Sequence, residues 1–188
     1  MGDDTLDRDA RIKLSIGKHE GNDDGQFALP SGLAFDHHRG LLLVTDSGNH
    51  RVQVFSCDDD DGGSLVSKFG EHGNQPGQFQ YPFGIAIDHD HDRILITDRA
   101  NDRVQSWSLS EQSFLSLIDL SLLFSIGQQG SQPGEFYCPS DIAIDDDRHR
   151  IIVSDTYNHR VQVFSCDDEG CSLVSKFGEE GDQPGQLM

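Results

Sequence analysis

Basic residues are scarce in this chain of 188 residues: 14 Lys and Arg stand against 33 Asp and Glu, a formal net charge of −19. Phosphate backbones are held largely by clustered Lys and Arg, so this balance argues against nucleic acid and anionic membrane as partners. Long apolar runs are missing too. The most apolar stretch, SFLSLIDLSLLF at 113–124, falls well short of the roughly 20 residues a spanning helix needs. The opening MGDDTLDRDA has neither the basic nor the apolar region of a secretory leader, and Leu6 stands where a myristoylation signal wants Ser or Thr. The expectation is a cytoplasmic chain. Cysteines number only four and none has the paired spacing of a structural zinc site. Cys57 and Cys166 are copies of one repeat position, so free thiols are expected at all four.

Trp occurs once and Tyr three times, whereas Gly occurs 20 times and Phe 11 times. That balance suits short strands joined by tight turns. The strongest signal is self-similarity. NHRVQVFSC stands at 49–57 and again, letter for letter, at 158–166, with NDRVQSWSL at 101–109 between them. The copies extend into a longer unit. It opens with FGEHGNQPGQFQYP (69–82), IGQQGSQPGEFYCP (126–139) and the weaker IGKHEGNDDGQFALP (16–30). GLAFD, GIAID or DIAID follows, then a polar turn, then LLLVTD, RILITD or RIIVSD, then the Asn-x-Arg line and a last apolar run. The opening glycines 17, 70, 127 and 178 are separated by 53, 57 and 51 residues. Each run is short, rich in Val, Ile, Leu and Phe, and bounded by Gly, Asp or Asn, which predicts about four strands per repeat. Four-stranded antiparallel sheets at this period predict an all-β chain of β-propeller blades.

The Pro-Gly-x-Phe opening, GIAID, the Asp closing the second strand and NHRVQVF resemble the NHL repeat. The resemblance covers roughly 16–178 and recurs three times. It implies a propeller, commonly six-bladed, with repeats at about 16–69, 70–126 and 127–177, a truncated start at 178–188 and an acidic tail at 1–10. RIKLSIG (11–17) reads as the outer strand of a preceding blade. Three blades leave sheet faces open, so a longer propeller or pairing of two chains is expected to complete the ring.

Asp46, Asn49, His50 and Arg51, with Asp98, Asn101, Asp102 and Arg103 and with Asp155, Asn158, His159 and Arg160, are expected to be structural. An enzyme needs one asymmetric site, whereas a scaffold needs the same joint in every blade. Asp accepts backbone N–H groups in turns, Asn tolerates the left-handed conformation, and Arg can clamp the Asp. The positions where copies differ carry the recognition signal: Tyr81, Phe83, Arg99, Tyr137, Asp141 and Tyr157 are candidates for a partner-binding face. The turns DHHRG (36–40), DHDHDR (88–93) and DDDRHR (145–150) match no standard ligand loop, so no metal, cofactor or catalytic residue is assigned. Within the family, such propellers are similar to the substrate-recognition end of tripartite-motif ubiquitin ligases, while the peptide-amidating lyases use a metal at the propeller centre. The resemblance therefore implies a protein partner first, with no RING in this chain, and a metal-dependent lyase or an inactive segment as the alternatives.

Overall fold

The computed structural model describes residues 15–187 apart from 18, 58–62, 113–116, 168–169 and 182. The acidic tail at 1–10, most of the RIKLSIG run, the tip of CDDDDGG and Phe114 lie outside the described residues.

Each short apolar run forms one strand. The first blade is β1 (Pro30–Asp36), β2 (Leu41–Asp46), β3 (Arg51–Ser56) and β4 (Ser64–Phe69), antiparallel in that order. The second takes β5 (Pro82–Asp88), β6 (Arg93–Asp98) and β7 (Arg103–Ser108). A small hairpin of β8 (Ser110–Gln112) and β9 (Leu117–Asp119) then intervenes before the blade's outer strand, β10 (Leu122–Ile126). The third is β11 (Pro139–Asp145), β12 (Arg150–Asp155), β13 (Arg160–Cys166) and β14 (Cys171–Phe177). No helix among the described residues is long and apolar enough to cross a membrane.

The core lies between blades rather than within them. One cluster joins Leu41, Leu43, Val52 and Val54 of the first blade to Phe79, Ile85, Ile94, Ile96 and Trp107 of the second. Another joins Leu95 and Val104 of the second to Phe136, Ile142, Ile151, Val153 and Phe164 of the third. The repeat is also visible in its ring pairs: Phe27–Phe55, Phe79–Trp107 and Phe136–Phe164 have centroids 5.7, 5.6 and 5.7 Å apart. The opening glycine of each repeat makes room for the first ring of each pair. At Gly70, with φ +86°, an added Cβ would sit 2.4 Å from Cδ2 of Phe79.

The expectation of four free thiols is corrected at two positions. Cys166 and Cys171 are bonded as a disulfide. They stand directly opposite each other where β13 pairs with β14, so the strand register brings the sulfurs together. In the first repeat Gly63 takes the place of Cys171, and Cys57 stays free, as does Cys138.

Candidate interaction face and the repeated polar joint

The Asn-x-Arg line builds a buried polar joint. The Asp46 carboxylate, wholly buried, accepts Nδ2 of Asn49 at 2.9 Å, Nε of Arg51 at 2.8 Å, Nε2 of Gln53 at 3.1 Å and the N–H of Ala28 at 2.7 Å. The donors then reach the repeat's opening loop. Asn49 donates to Gly21 O, Arg51 to Asp23 O and Gln26 O, and Gln53 to Gln26 O. Asp98 and Asp155 repeat the pattern, with Arg103 and Arg160 at 2.8 and 2.7 Å and with Gln105 and Gln162 each at 3.1 Å. A buried carboxylate is costly unless paired and hydrogen-bonded, and each copy is both. The glutamines were not singled out from the sequence. Their signal was there, an identical Gln in every copy of the line, but on a strand it reads as an exposed polar position; here all three are fully buried.

The expectation that Asn takes the left-handed position of the turn is corrected: the residue after it does, and His50, Asp102 and His159 have φ of +56°, +53° and +50°. This turn aims the side chain at the next blade. Nδ1 of His50 accepts the N–H of Tyr81 at 3.1 Å, and Oδ1 of Asp102 accepts the N–H of Cys138 at 2.7 Å. The second letter of the motif is thus an inter-blade clip that needs only an acceptor, which imidazole and carboxylate both supply. At His159 the same Nδ1 is buried and has no hydrogen-bond partner among the described residues. Further clips cross each junction: Thr45 Oγ1 donates to Phe83 O at 2.7 Å, Ser47 to Pro82 O, and Thr97 Oγ1 to Ser140 O at 3.1 Å.

These clips hold a loop face on which the variable residues gather. The β2–β3 turn and the loop before β1 are hydrogen-bonded in each blade, through Gly48 to Ala28, Ala100 to Gln80 and Tyr157 to Tyr137. Arg99 lies over the Phe83 ring, 5.1 Å from its centroid. Tyr81 packs edge-on against His50 at 4.8 Å, and Tyr137 against Tyr157 at 5.1 Å. Tyr81, Tyr137 and Tyr157 remain 45%, 44% and 53% exposed. Asp141 stands apart from them. It lies within β11, exposed, on the strand position held by Gly32 and Gly84 in the other blades. An added Cβ at those glycines would lie 2.3 Å from Phe83 O and 2.7 Å from Ser140 O, so Asp141 marks the flank of the third blade rather than the loop face.

The titratable groups on this face are poorly set for nucleophilic chemistry. Burial, and then the nearby Asp102 carboxylate, push the Cys138 thiol above its usual value. Burial and the neighbouring His72 hold His50 below the ordinary imidazole range against the pull of Asp98, and its Nδ1 already accepts a backbone N–H.

The NHL repeat profile matches residues 27–55 and 136–164, the first and third copies of this joint together with their opening strands. The chain carries NHL repeats. The copy between them, with Asp102 and Trp107 in place of His and Phe, has the same joint geometry. Among curated relatives of these repeats, the protein brain tumor of Drosophila melanogaster is 28% identical over 82% of this chain and 13% of its own length. The probable peptidyl-alpha-hydroxyglycine alpha-amidating lyase pgal-1 of Caenorhabditis elegans is 26% identical over 75% of this chain and 38% of its own length. Human E3 ubiquitin-protein ligase NHLRC1 is 34% identical over 42% of this chain and 18% of its own length. The chain therefore spans well under half the length of each. Among solved structures, the Cps50 (Swd1) β-propeller domain of Myceliophteria thermophila superposes with a TM-score of 0.54 at 11% identity, over 78% of this chain and 40% of that one. The three four-stranded sheets are propeller blades.

Proposed function

We propose that these NHL repeats form a non-catalytic scaffold that recruits a protein partner through the loop face. The observation that carries this reading is the set of exposed aromatic side chains, Tyr81, Tyr137 and Tyr157, on loops pinned by buried polar joints. Rigid aromatic residues beside an arginine lose little conformational entropy on binding and supply most contact energy at protein interfaces. The similarity to NHLRC1, whose name describes a ubiquitin ligase, supports placing the scaffold at the substrate-recognition end of such a system, with the catalytic part elsewhere. The test is affinity capture with wild-type chain against a Tyr137→Ala/Tyr157→Ala variant of unchanged thermal stability. Loss of the specific captured set is expected; an identical set would sink the reading.

A lyase-like enzyme is the second reading, favoured by the similarity to pgal-1 over most of this chain. Turnover of an α-hydroxyglycine-extended peptide by purified chain, abolished by chelation, would establish it instead.

The open flanks bear on partners as well. An apolar groove on the first blade is lined by Ile16, Phe27, Pro30, Leu33, Leu42 and Val44, and Leu33 is 68% exposed. We infer that a second copy covers it. Leu29 is the first blade's counterpart of Tyr81 and Cys138, so its N–H is the group that would reach Nδ1 of His159 in that copy. Light scattering across a concentration series is expected to show a dimer; a monomer throughout would remove this inference.

A further inference from the structure

The face opposite the aromatic loops is formed by the β1–β2, β5–β6 and β11–β12 turns, and imidazoles gather there. Asp36 closes β1, His38 lies in the turn after it, and His89 follows β5 in the next blade. One ligand atom from each of these three lies within 4.8 Å of the others. The rings of His38 and His89 are 4.7 Å apart between centroids, and His37 lies 5.9 Å from His89 at the rim. From these positions we propose that Asp36, His38 and His89 form a site for a divalent transition metal, of which zinc is the natural example, bridging the first two blades.

Two independent features support a ligand here. Nδ1 of His89 is buried and has no hydrogen-bond partner among the described residues. An unsatisfied buried polar atom is expensive, and a bound cation relieves that cost by satisfying the ring directly or by fixing its tautomer. The second feature is a break in the repeat. In the second blade Asp88 is engaged by both His91 at 3.0 Å and Arg93 at 2.8 Å. In the first blade Leu41 stands where the second has Arg93, so Oδ2 of Asp36 accepts Nη1 of Arg39 at 2.8 Å and keeps a further lone pair. The N–H groups of His38 and Arg39 hold Oδ1 at 2.9 and 3.2 Å, which orients the carboxylate.

Arg39 brings a positive charge close to the proposed ion, but it also bonds Asp92 at 2.6 Å, and Asp88 and Asp90 lie on the same adjoining turn. The surrounding field therefore favours a cation. Two imidazoles with one carboxylate select zinc, cobalt or nickel over calcium or magnesium, which prefer all-oxygen shells. Neither turn alone has ligand spacing. The site exists only because His38 and His89, distant in sequence, meet at a blade junction, so its occupation would clip that junction.

The test is calorimetric titration of the full chain with zinc, alongside His38→Ala, His89→Ala and the control His19→Ala. Wild type and control are expected to bind one equivalent saturably, with a rise in melting temperature, and each of the other two variants to lose at least tenfold in affinity. His38 is exposed, so its variant should keep the native fold by circular dichroism, and loss of binding in that folded variant is the deciding result. Cobalt in place of zinc should give visible bands without thiolate charge transfer. Absence of saturable zinc binding, undiminished binding by the His38→Ala/His89→Ala double variant, thiolate bands, or tighter binding of calcium than zinc would each overturn the proposal.

Discussion

Asp46, Asp98 and Asp155 each stand at the centre of donors drawn from two parts of one repeat, and the cost of removing a donor depends on what it leaves behind. Arg160 is nearly buried and its partner Asp155 wholly so. Arg160→Met should therefore destabilise by roughly 3–5 kcal/mol, because it strands a buried carboxylate. Arg148, 65% exposed and paired with Asp145 at 3.2 Å, offers the contrast. Its replacement by Ala should cost under about 1 kcal/mol. Urea denaturation of the two variants checks the difference. The His50 clip has a pH signature as well. Burial and His72 depress its folded pKa, so the unfolded chain binds the proton more readily. Stability from this group is then full above the ordinary imidazole value of about 6.5 and is lost as pH falls through that region. His50→Asp keeps an acceptor for the Tyr81 N–H, as Asp102 does for Cys138. Melting curves between about pH 5 and 8 should slope less for His50→Asp than for wild type in this window; parallel slopes would assign the dependence elsewhere. Asp and Arg of the joint were legible as a turn device because their types are turn and pairing residues, whereas the left-handed position expected of Asn belongs to the residue after it. Gln53, Gln105 and Gln162 were not legible, since strand alternation predicts an exposed face and only the opening loop folding back over β3, β7 and β13 buries them.

Strands are where local sequence reads most directly, because β-branched runs bounded by Gly and Asp allow few alternatives. The unusually long connection of the second repeat forms the β8–β9 hairpin before rejoining the blade as β10. Glycines within strands are less legible. Gly84 lies in β5, where Gly usually weakens a strand, and its reason appears only across the junction: an added Cβ would meet Ser140 O at 2.7 Å, backbone that cannot swing aside. Gly84→Ala should cost roughly 1–3 kcal/mol through overpacking. A hydrogen-exchange profile should place the loss at the boundary between the second and third blades; loosening confined to the first blade would refute this account.

Blades are rigid units whose stability resides in their shared faces, as in other repeat architectures. The first two junctions use one set of clips, hydroxyl to carbonyl on one side and acceptor to N–H on the other. The outer flank of the third blade differs from the other two by Ser154 in place of Thr45 and Thr97 and by a Cβ at Asp141 where Gly32 and Gly84 admit the neighbouring carbonyl. Asp141→Gly should remove that obstacle and strengthen self-association several-fold in sedimentation or light scattering. Unchanged association would mean that the flank is not a docking surface.

The sequence by itself determined the period, the four strands of each repeat and the turn chemistry, because all of these depend on neighbours a few residues apart. Tertiary structure decided which polar residues are buried, which histidine clips the next blade, that Cys166 faces Cys171 across a strand pair, and that Asp36, His38 and His89 share one cluster. Those outcomes depend on distances between groups on different strands or blades, and such distances are set by how the sheets pack rather than by order along the chain.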